Sequence, residues 1–132
     1  MSQENVEIVK AAIDAANRED WDAFLQVAAP GFELDMSRSR SFRGAAVYGL
    51  DQAQRFLVEF AEDWESVRID AHEFIEAGDL VVVPYTVHAR GRDGIEVVSR
   101  PTYVWTIRDG AIERVSMYQE RQDALEAVGL AE

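Results

Sequence analysis

The fold is decided by residues 102–119, which read TYVWTIRDGAIERVSMYQ. Two runs rich in β-branched and aromatic residues flank Asp109-Gly110, and an Asp-Gly pair between such runs is typical of a tight β-hairpin. The pattern predicts one strand that ends near Arg108 and a last strand over residues 112–119. Behind this hairpin, a short helix is predicted over residues 122–128.

The chain before this hairpin is also predicted to form strands. The pattern indicates that residues 67–76 pair with residues 80–90 across a turn at Ala77-Gly78-Asp79. A second turn, Gly91-Arg92-Asp93-Gly94, is predicted to lead into the long strand that ends near Arg108. The second half of the chain is therefore predicted to be a meander of four strands.

The first half is predicted to be mainly helical. Apolar residues at three- and four-residue spacing predict an amphipathic helix over residues 3–18, a short second helix capped by Asp20, and a third helix over residues 50–64. Strict alternation predicts a half-buried strand over residues 32–36, and a polar loop follows at residues 37–49.

Helices come first and strands last, which predicts an α+β fold with the helices on one face of a curved antiparallel sheet. The sequence shows no internal repeat and no linker that would divide it. Residues 1–132 are therefore predicted to form a single domain, a usual size for one.

Composition excludes several classes of function. The 25 acidic and 13 basic residues give a formal charge of −12, and such a surface repels nucleic acid and anionic lipid. The chain has no cysteine and only 2 histidines, so we predict no metal site. The N-terminus shows no export signal, and we expect a cytoplasmic protein that does not dock on a membrane.

Several fragments in a fixed order carry a family resemblance: ENVEIVK (residues 4–10), NREDW (17–21), APGFE (29–33), Arg43-Gly44 with the helix from residue 50, AGDLVVV (77–83) and WTIRDGAI (105–112). In these, the chain resembles the nuclear transport factor 2-like superfamily, and within it the SnoaL-like, polyketide cyclase-like branch of small bacterial proteins. The resemblance implies a cone, in which a highly curved antiparallel sheet wraps around helices and encloses an apolar pocket.

The resemblance also suggests catalytic positions. Members of this superfamily include polyketide cyclases, ketosteroid isomerase, scytalone dehydratase and limonene epoxide hydrolase. By register, the general-base Asp of ketosteroid isomerase falls at Met36, its tyrosine donor at Ala12, and its protonated Asp donor near Tyr103. Tyr103 is therefore the candidate hydrogen-bond donor. Asp35, one residue from the base position, is the candidate base if a β-bulge turns it inward, and His88 is a second one if displaced.

Strand parity predicts a mostly apolar pocket wall with a few polar groups, which is the usual composition of a small-molecule site. The predicted ligand contacts are Leu34, Met36, Phe56, Phe60, Tyr85, Val87, Tyr103, Trp105, Met117 and Gln119.

Two functions stay open. The first is a cofactor-free cyclase, isomerase or dehydratase that acts on a hydrophobic carbonyl compound, with Tyr103 or Tyr85 donating to a developing enolate oxygen. The second is a non-catalytic module for ligand binding or dimerisation. In either case we expect a homodimer formed through the outer sheet face, which carries Val82, Val98 and Val104 among polar residues.

Three basic residues and two histidines remain outside the pocket wall. Arg38, Arg40 and Arg43 lie in the polar loop near the expected mouth of the cone, either solvated or facing an acidic ligand. Parity places His88 on the outer face of the sheet, and His72 is expected to be solvated.

Overall fold

The computed structural model describes residues 2–39 and 46–130. The helices are α1 (Ser2–Asn17), α2 (Trp21–Gln26), α3 (Leu50–Glu62) and α4 (Arg121–Ala127). The strands are β1 (Ala28–Asp35), β2 (Val47–Gly49), β3 (Ser66–Ala71), β4 (Ile75–Ala77), β5 (Leu80–Arg90), β6 (Glu96–Ser99), β7 (Thr102–Arg108) and β8 (Ala111–Tyr118). None of these helices is long and apolar enough to cross a membrane.

The strands form one strongly curled sheet, which confirms the predicted α+β fold. Its order is β2-β1-β8-β7-β5-β3, and β4 and β6 also pair with β5. One pair departs from the expected antiparallel pattern, because β1 and β8 run parallel. Helices α1, α2 and α3 supply apolar side chains that pack with the inner face of the sheet in one core.

The first helices begin and end for local reasons. The Asp20 carboxylate accepts a hydrogen bond from the Ala23 amide at 3.2 Å, as predicted for the cap of α2. At the end of α1, the Asn17 side-chain amide donates to the Ile69 carbonyl at 2.9 Å and accepts from the Ile69 amide at 2.8 Å. These two bonds tie α1 to β3.

The region that we predicted as one strand over residues 67–76 is two strands. β3 and β4 pair with β5 in registers that differ by one residue, so an extra residue lies between them. This shift turns the following side chains over: Phe74 packs against the main core, whereas Ile75 packs on the outer side.

The long strand predicted to end near Arg108 is interrupted at Arg100-Pro101 and forms β6 and β7. Both parts pair with β5 in the same register, so the strand direction continues. The interruption follows from Pro101, which has no amide hydrogen to donate to the ladder.

Helix α4 covers part of the outer face. Val82 and Val104 are buried there against Ala124, with Leu125 and Val128 beside them. The two valines that suggested an exposed apolar face are therefore covered by the chain's own C-terminal helix. Val98, by contrast, is 45% exposed.

Candidate functional site

The predicted pocket residues line the interior of the curled sheet. Six are buried in the main core: Leu34, Met36, Phe56, Tyr85, Trp105 and Met117. Val87 and Tyr103 are partly buried and pack against that core. Phe60 stacks on Phe56 with ring centroids 6.2 Å apart. Gln119 lies apart from these, and its side-chain amide donates to the Arg38 carbonyl at 2.8 Å.

Tyr103 presents a hydroxyl group that has only a weak partner. Its oxygen lies 3.9 Å from the Met36 sulfur, and a thioether is a poor hydrogen-bond acceptor. Burial raises the pKa of Tyr103 to about 12, so the hydroxyl keeps its proton at neutral pH. This O–H group is a capable donor that the described residues leave almost unused.

Tyr85 lies against Tyr103, with the rings stacked at 4.6 Å, but its hydroxyl is differently bonded. The Trp105 indole N–H donates to the Tyr85 oxygen at 3.1 Å. Burial raises the pKa of Tyr85 well above its ordinary value, so this hydroxyl also stays protonated. Because the indole can only donate, it holds the Tyr85 oxygen in place as an acceptor.

An aromatic row continues the inner wall along α3. Tyr48 stacks on Phe56 at 4.7 Å, and Phe60 lies 6.4 Å from Trp64. The Trp64 indole nitrogen is buried and has no hydrogen-bond partner among the described residues. The sequence analysis missed Tyr48 because it lies on a strand of three residues inside a segment read as a loop. Its only signal is its pairing with Leu34, which places both on one face.

Asp35 lies on the opposite face of the sheet. Leu34 and Met36 on either side of it are in the core, and the register shift of β1 occurs before Glu33, so no bulge turns Asp35 inward. Its carboxylate accepts from the Ser37 hydroxyl at 2.6 Å and the Ser37 amide at 3.0 Å. Arg114 donates to it at 2.7 Å and Arg38 at 3.3 Å.

These contacts decide the protonation state of Asp35. Burial alone raises the pKa of its carboxyl, but the hydrogen bonds from Ser37 and Arg114 lower it more, to about 2. Arg114 also pairs with Glu33 and donates to the Ser116 hydroxyl at 3.2 Å. A carboxylate held in this way is a weak base, and it faces away from Tyr103.

Arg38 connects this network to the end of β8. Its guanidinium carbon lies 4.2 Å from the centroid of the Tyr118 ring, and its carbonyl accepts from Gln119. Arg38 is thus held against β8 at the start of the polar loop. Arg40 and Arg43, the other basic residues predicted near the mouth, lie outside the described residues.

Both histidines lie on the outer side of the sheet. His88 is 3.1 Å from the Asp70 carboxylate, and Arg68 lowers the pKa of Asp70 by hydrogen bonding to it. The ring of exposed His72 contacts the Thr86 hydroxyl. Within residues 2–39 and 46–130, no group of three or more histidine and carboxylate side chains is arranged to hold a metal ion.

The structure contains two cavities away from the tyrosines. One, of about 10 Å³, lies between α2 and α3 and has room for a single water molecule. The other is an open groove of about 310 Å³ on the outer side, lined by residues of β3, β5 and β6 that include Arg68 and His88. Neither is lined by Tyr85 or Tyr103, so a pocket at the tyrosines stays a prediction.

Comparison with known proteins places this geometry in a family. A family model described as the SnoaL-like domain matches residues 9–115. A comparison with curated protein sequences finds no match.

Among solved structures, TerC co-crystallised with polyporic acid is 24% identical over 95% of this chain and 97% of that one, with a TM-score of 0.77. An NTF2-like protein of Burkholderia pseudomallei is 20% identical over 97% of this chain and 98% of that one, with a TM-score of 0.79. A Mycobacterium tuberculosis protein in complex with estradiol-17β-hemisuccinate is 11% identical over 89% and 95%, with a TM-score of 0.76. These likenesses show that the fold is NTF2-like.

Proposed function

Because the chain belongs to the SnoaL-like domain family, we propose that it binds a hydrophobic small molecule that carries a hydrogen-bond-accepting oxygen. The ligand lies inside the curled sheet, and the Tyr103 hydroxyl donates to its oxygen. One observation carries the proposal: a buried O–H donor whose described partner is only the Met36 thioether, 3.9 Å away. Buried polar groups normally have a good partner, and a ligand oxygen supplies one.

The surroundings of Tyr103 suit an apolar and flat ligand. Aromatic rings from three elements are near one another on the inner side: Tyr85 on β5, Trp105 on β7 and Phe56 on α3. Such walls bury ligand surface through stacking, while one or two polar groups set its orientation. Two structural relatives were crystallised with an organic acid, polyporic acid in one and a steroid hemisuccinate in the other. Both ligands provide the oxygen acceptors that the proposal requires.

Binding of polyporic acid and of estradiol-17β-hemisuccinate tests the proposal, measured by calorimetry and by quenching of tryptophan fluorescence. We expect at least one of them to bind, and Tyr103→Phe to weaken that binding by roughly tenfold, the worth of one hydrogen bond. Tyr118→Phe is the matched control, because Tyr118 loses the same hydroxyl on the outer side of the sheet. Equal affinity of the wild type and Tyr103→Phe for a ligand that binds would refute the role of Tyr103.

Catalysis is the second candidate function, and the same hydroxyl favours it. A protonated Tyr103 is suited to stabilise a developing enolate oxygen in a cofactor-free isomerisation, cyclisation or dehydration. The inner-wall residues described above include no carboxylate or imidazole. The reaction would therefore use Tyr103 as the donor and either a base from another part of the chain or an acidic substrate that ionises readily.

Turnover separates the two candidates. For an enzyme, Tyr103→Phe lowers kcat by about 10²–10³ while ligand affinity falls much less. Asp35→Asn should leave kcat unchanged, provided that the variant is assayed where it is fully folded. A binding module shows no turnover of any bound carbonyl compound, and then only the affinity changes.

A further inference from the structure

Strand β6 leaves one edge without a strand partner among the described residues. It pairs only with β5. On that same side of the sheet β7 is covered by β8, but β8 ends at Tyr118, opposite Thr102. The chain then turns into α4, so the edge of β6 continues past the point where β8 stops.

The hydrogen-bond pattern shows which backbone groups lie on this edge. The Gly91 amide donates to the Ile95 carbonyl at 2.8 Å, and the Tyr85 amide donates to the Pro101 carbonyl at 3.0 Å. Antiparallel ladders alternate from residue to residue, so the odd-numbered residues between these two direct their backbone groups toward β5. Glu96, Val98 and Arg100 direct theirs toward the unpaired edge.

The side chains of β6 do not protect this edge. Val97 and Val98 are each 45% exposed, and neighbouring Ile95 is 63% exposed. Exposed edge strands in monomeric proteins usually carry lysine, proline or a bulge that prevents pairing with another chain. β6 has no such residue between Glu96 and Ser99, so it offers an apolar template for another strand.

We infer that β6 pairs with β6 of a second copy of this chain, antiparallel, with Val98 opposite the partner's Val98. Two copies related by a twofold axis meet in this way through the same surface patch. This register brings Glu96 opposite the partner's Arg100, and by symmetry Arg100 opposite the partner's Glu96. Arg100 makes no ion pair within the described ranges, so its charge is available for this contact.

Charge selects this register over its neighbours. Only residues with outward backbone groups can bond across the edge, so the alternatives differ by two residues. One alternative places Glu96 opposite the partner's Val98, and the other places it opposite the partner's Thr102. Both lose the two ion pairs, and opposite charges across a strand pair stabilise it. The proposed register is therefore self-complementary in charge and apolar at its centre.

Val98→Pro tests the pairing directly. It removes an amide hydrogen that points to the free edge and leaves the β5–β6 hydrogen bonds intact, a position where strands tolerate proline. Val98→Thr is the matched control, because it keeps both the amide and the β-branched shape. In sedimentation velocity over a concentration series, we expect dimers for the wild type and Val98→Thr, and monomers for Val98→Pro. Circular dichroism and the thermal midpoint check that Val98→Pro is folded.

A charge exchange tests the register. Arg100→Glu and Glu96→Arg each place like charges across the twofold axis, and each should weaken self-association roughly tenfold. A mixture of the two variants restores both opposite-charge contacts and should associate as a heterodimer. The inference is overturned if the wild type is monomeric throughout, if Val98→Pro still forms dimers, or if mixing restores nothing. A dimer that survives Val98→Pro uses another surface, such as the outer sheet face.

Discussion

Asp35 and Tyr103 are both largely withdrawn from water on the same curled sheet, yet their polar groups are bonded very differently. On the outer face, the Asp35 carboxylate has donors from Ser37, Arg38 and Arg114. On the inner face, the Tyr103 hydroxyl has only the Met36 sulfur. A polar group with every bond made serves the fold, whereas one with a bond to spare can serve a ligand. The contrast in bonding, rather than burial, separates the structural residue from the functional candidate.

Asp35→Asn should produce the largest effect and would break the comparison if it did not. The substitution removes a buried charge and leaves Arg114 and Ser37 with a poorer acceptor. Because Arg114 is partly exposed and keeps Glu33, we expect a loss of about 2–3 kcal/mol in the free energy of unfolding, measured by urea denaturation.

Asp70→Asn is the matched control for this loss. Asp70 also contacts an arginine and a second cation-forming group, but its side chain is 40% exposed. Exposed ion pairs contribute little, so this variant should unfold close to the wild type. Equal losses for the two variants would show that the Asp35 network has no special role.

The acid limb of stability should show a smaller effect of the same network. The pKa of Asp35 is lowered from 3.8 to about 2 in the folded protein, so the folded state favours the ionised form. Its contribution is complete above about pH 4 and is lost as the pH falls toward 2, amounting to about 2 kcal/mol. The difference in unfolding free energy between the wild type and Asp35→Asn should shrink over this range. A difference that stays constant with pH would contradict the assignment.

The two stacked tyrosines give the finest test. Tyr85→Phe leaves the Trp105 N–H buried without its acceptor, and should cost about 1–3 kcal/mol of stability. Tyr103→Phe removes only a contact to a thioether, and should cost less than about 0.5 kcal/mol. Thermal and urea unfolding measure both variants. If Tyr103→Phe were the more destabilising, its hydroxyl would be structural and the proposed ligand contact would lose its basis.

The sequence predicted the faces of the strands well, because parity is a local property. Leu34, Met36, Tyr85 and Trp105 all lie in the core, as alternation along β1, β5 and β7 requires. Parity failed where a register changes inside a predicted strand: the extra residue between β3 and β4 sends Phe74 inward and Ile75 outward. No single-residue signal marks that position, since the shift depends on how both segments pair with β5.

The bonding partners were beyond the reach of the sequence. Arg114 lies 79 positions from Asp35 and meets it only because β1 runs parallel to β8. Likewise, Val82 and Val104 suggested an exposed face, but α4 folds back over them. A pattern within one strand says which side a residue faces, and it does not say which strand or helix will lie there.

The sequence by itself thus determined the α+β order of elements, the hairpin at Asp109-Gly110 and the apolar inner wall. These follow from turn chemistry and from the two-residue period of a strand. Only the tertiary structure decided that Asp35 is satisfied on the outer face, that the Tyr103 hydroxyl is left with a thioether, and that β6 keeps an unpaired edge. Those outcomes depend on contacts between residues far apart in the chain, because the free energy of a polar group is set by the neighbours that folding brings to it.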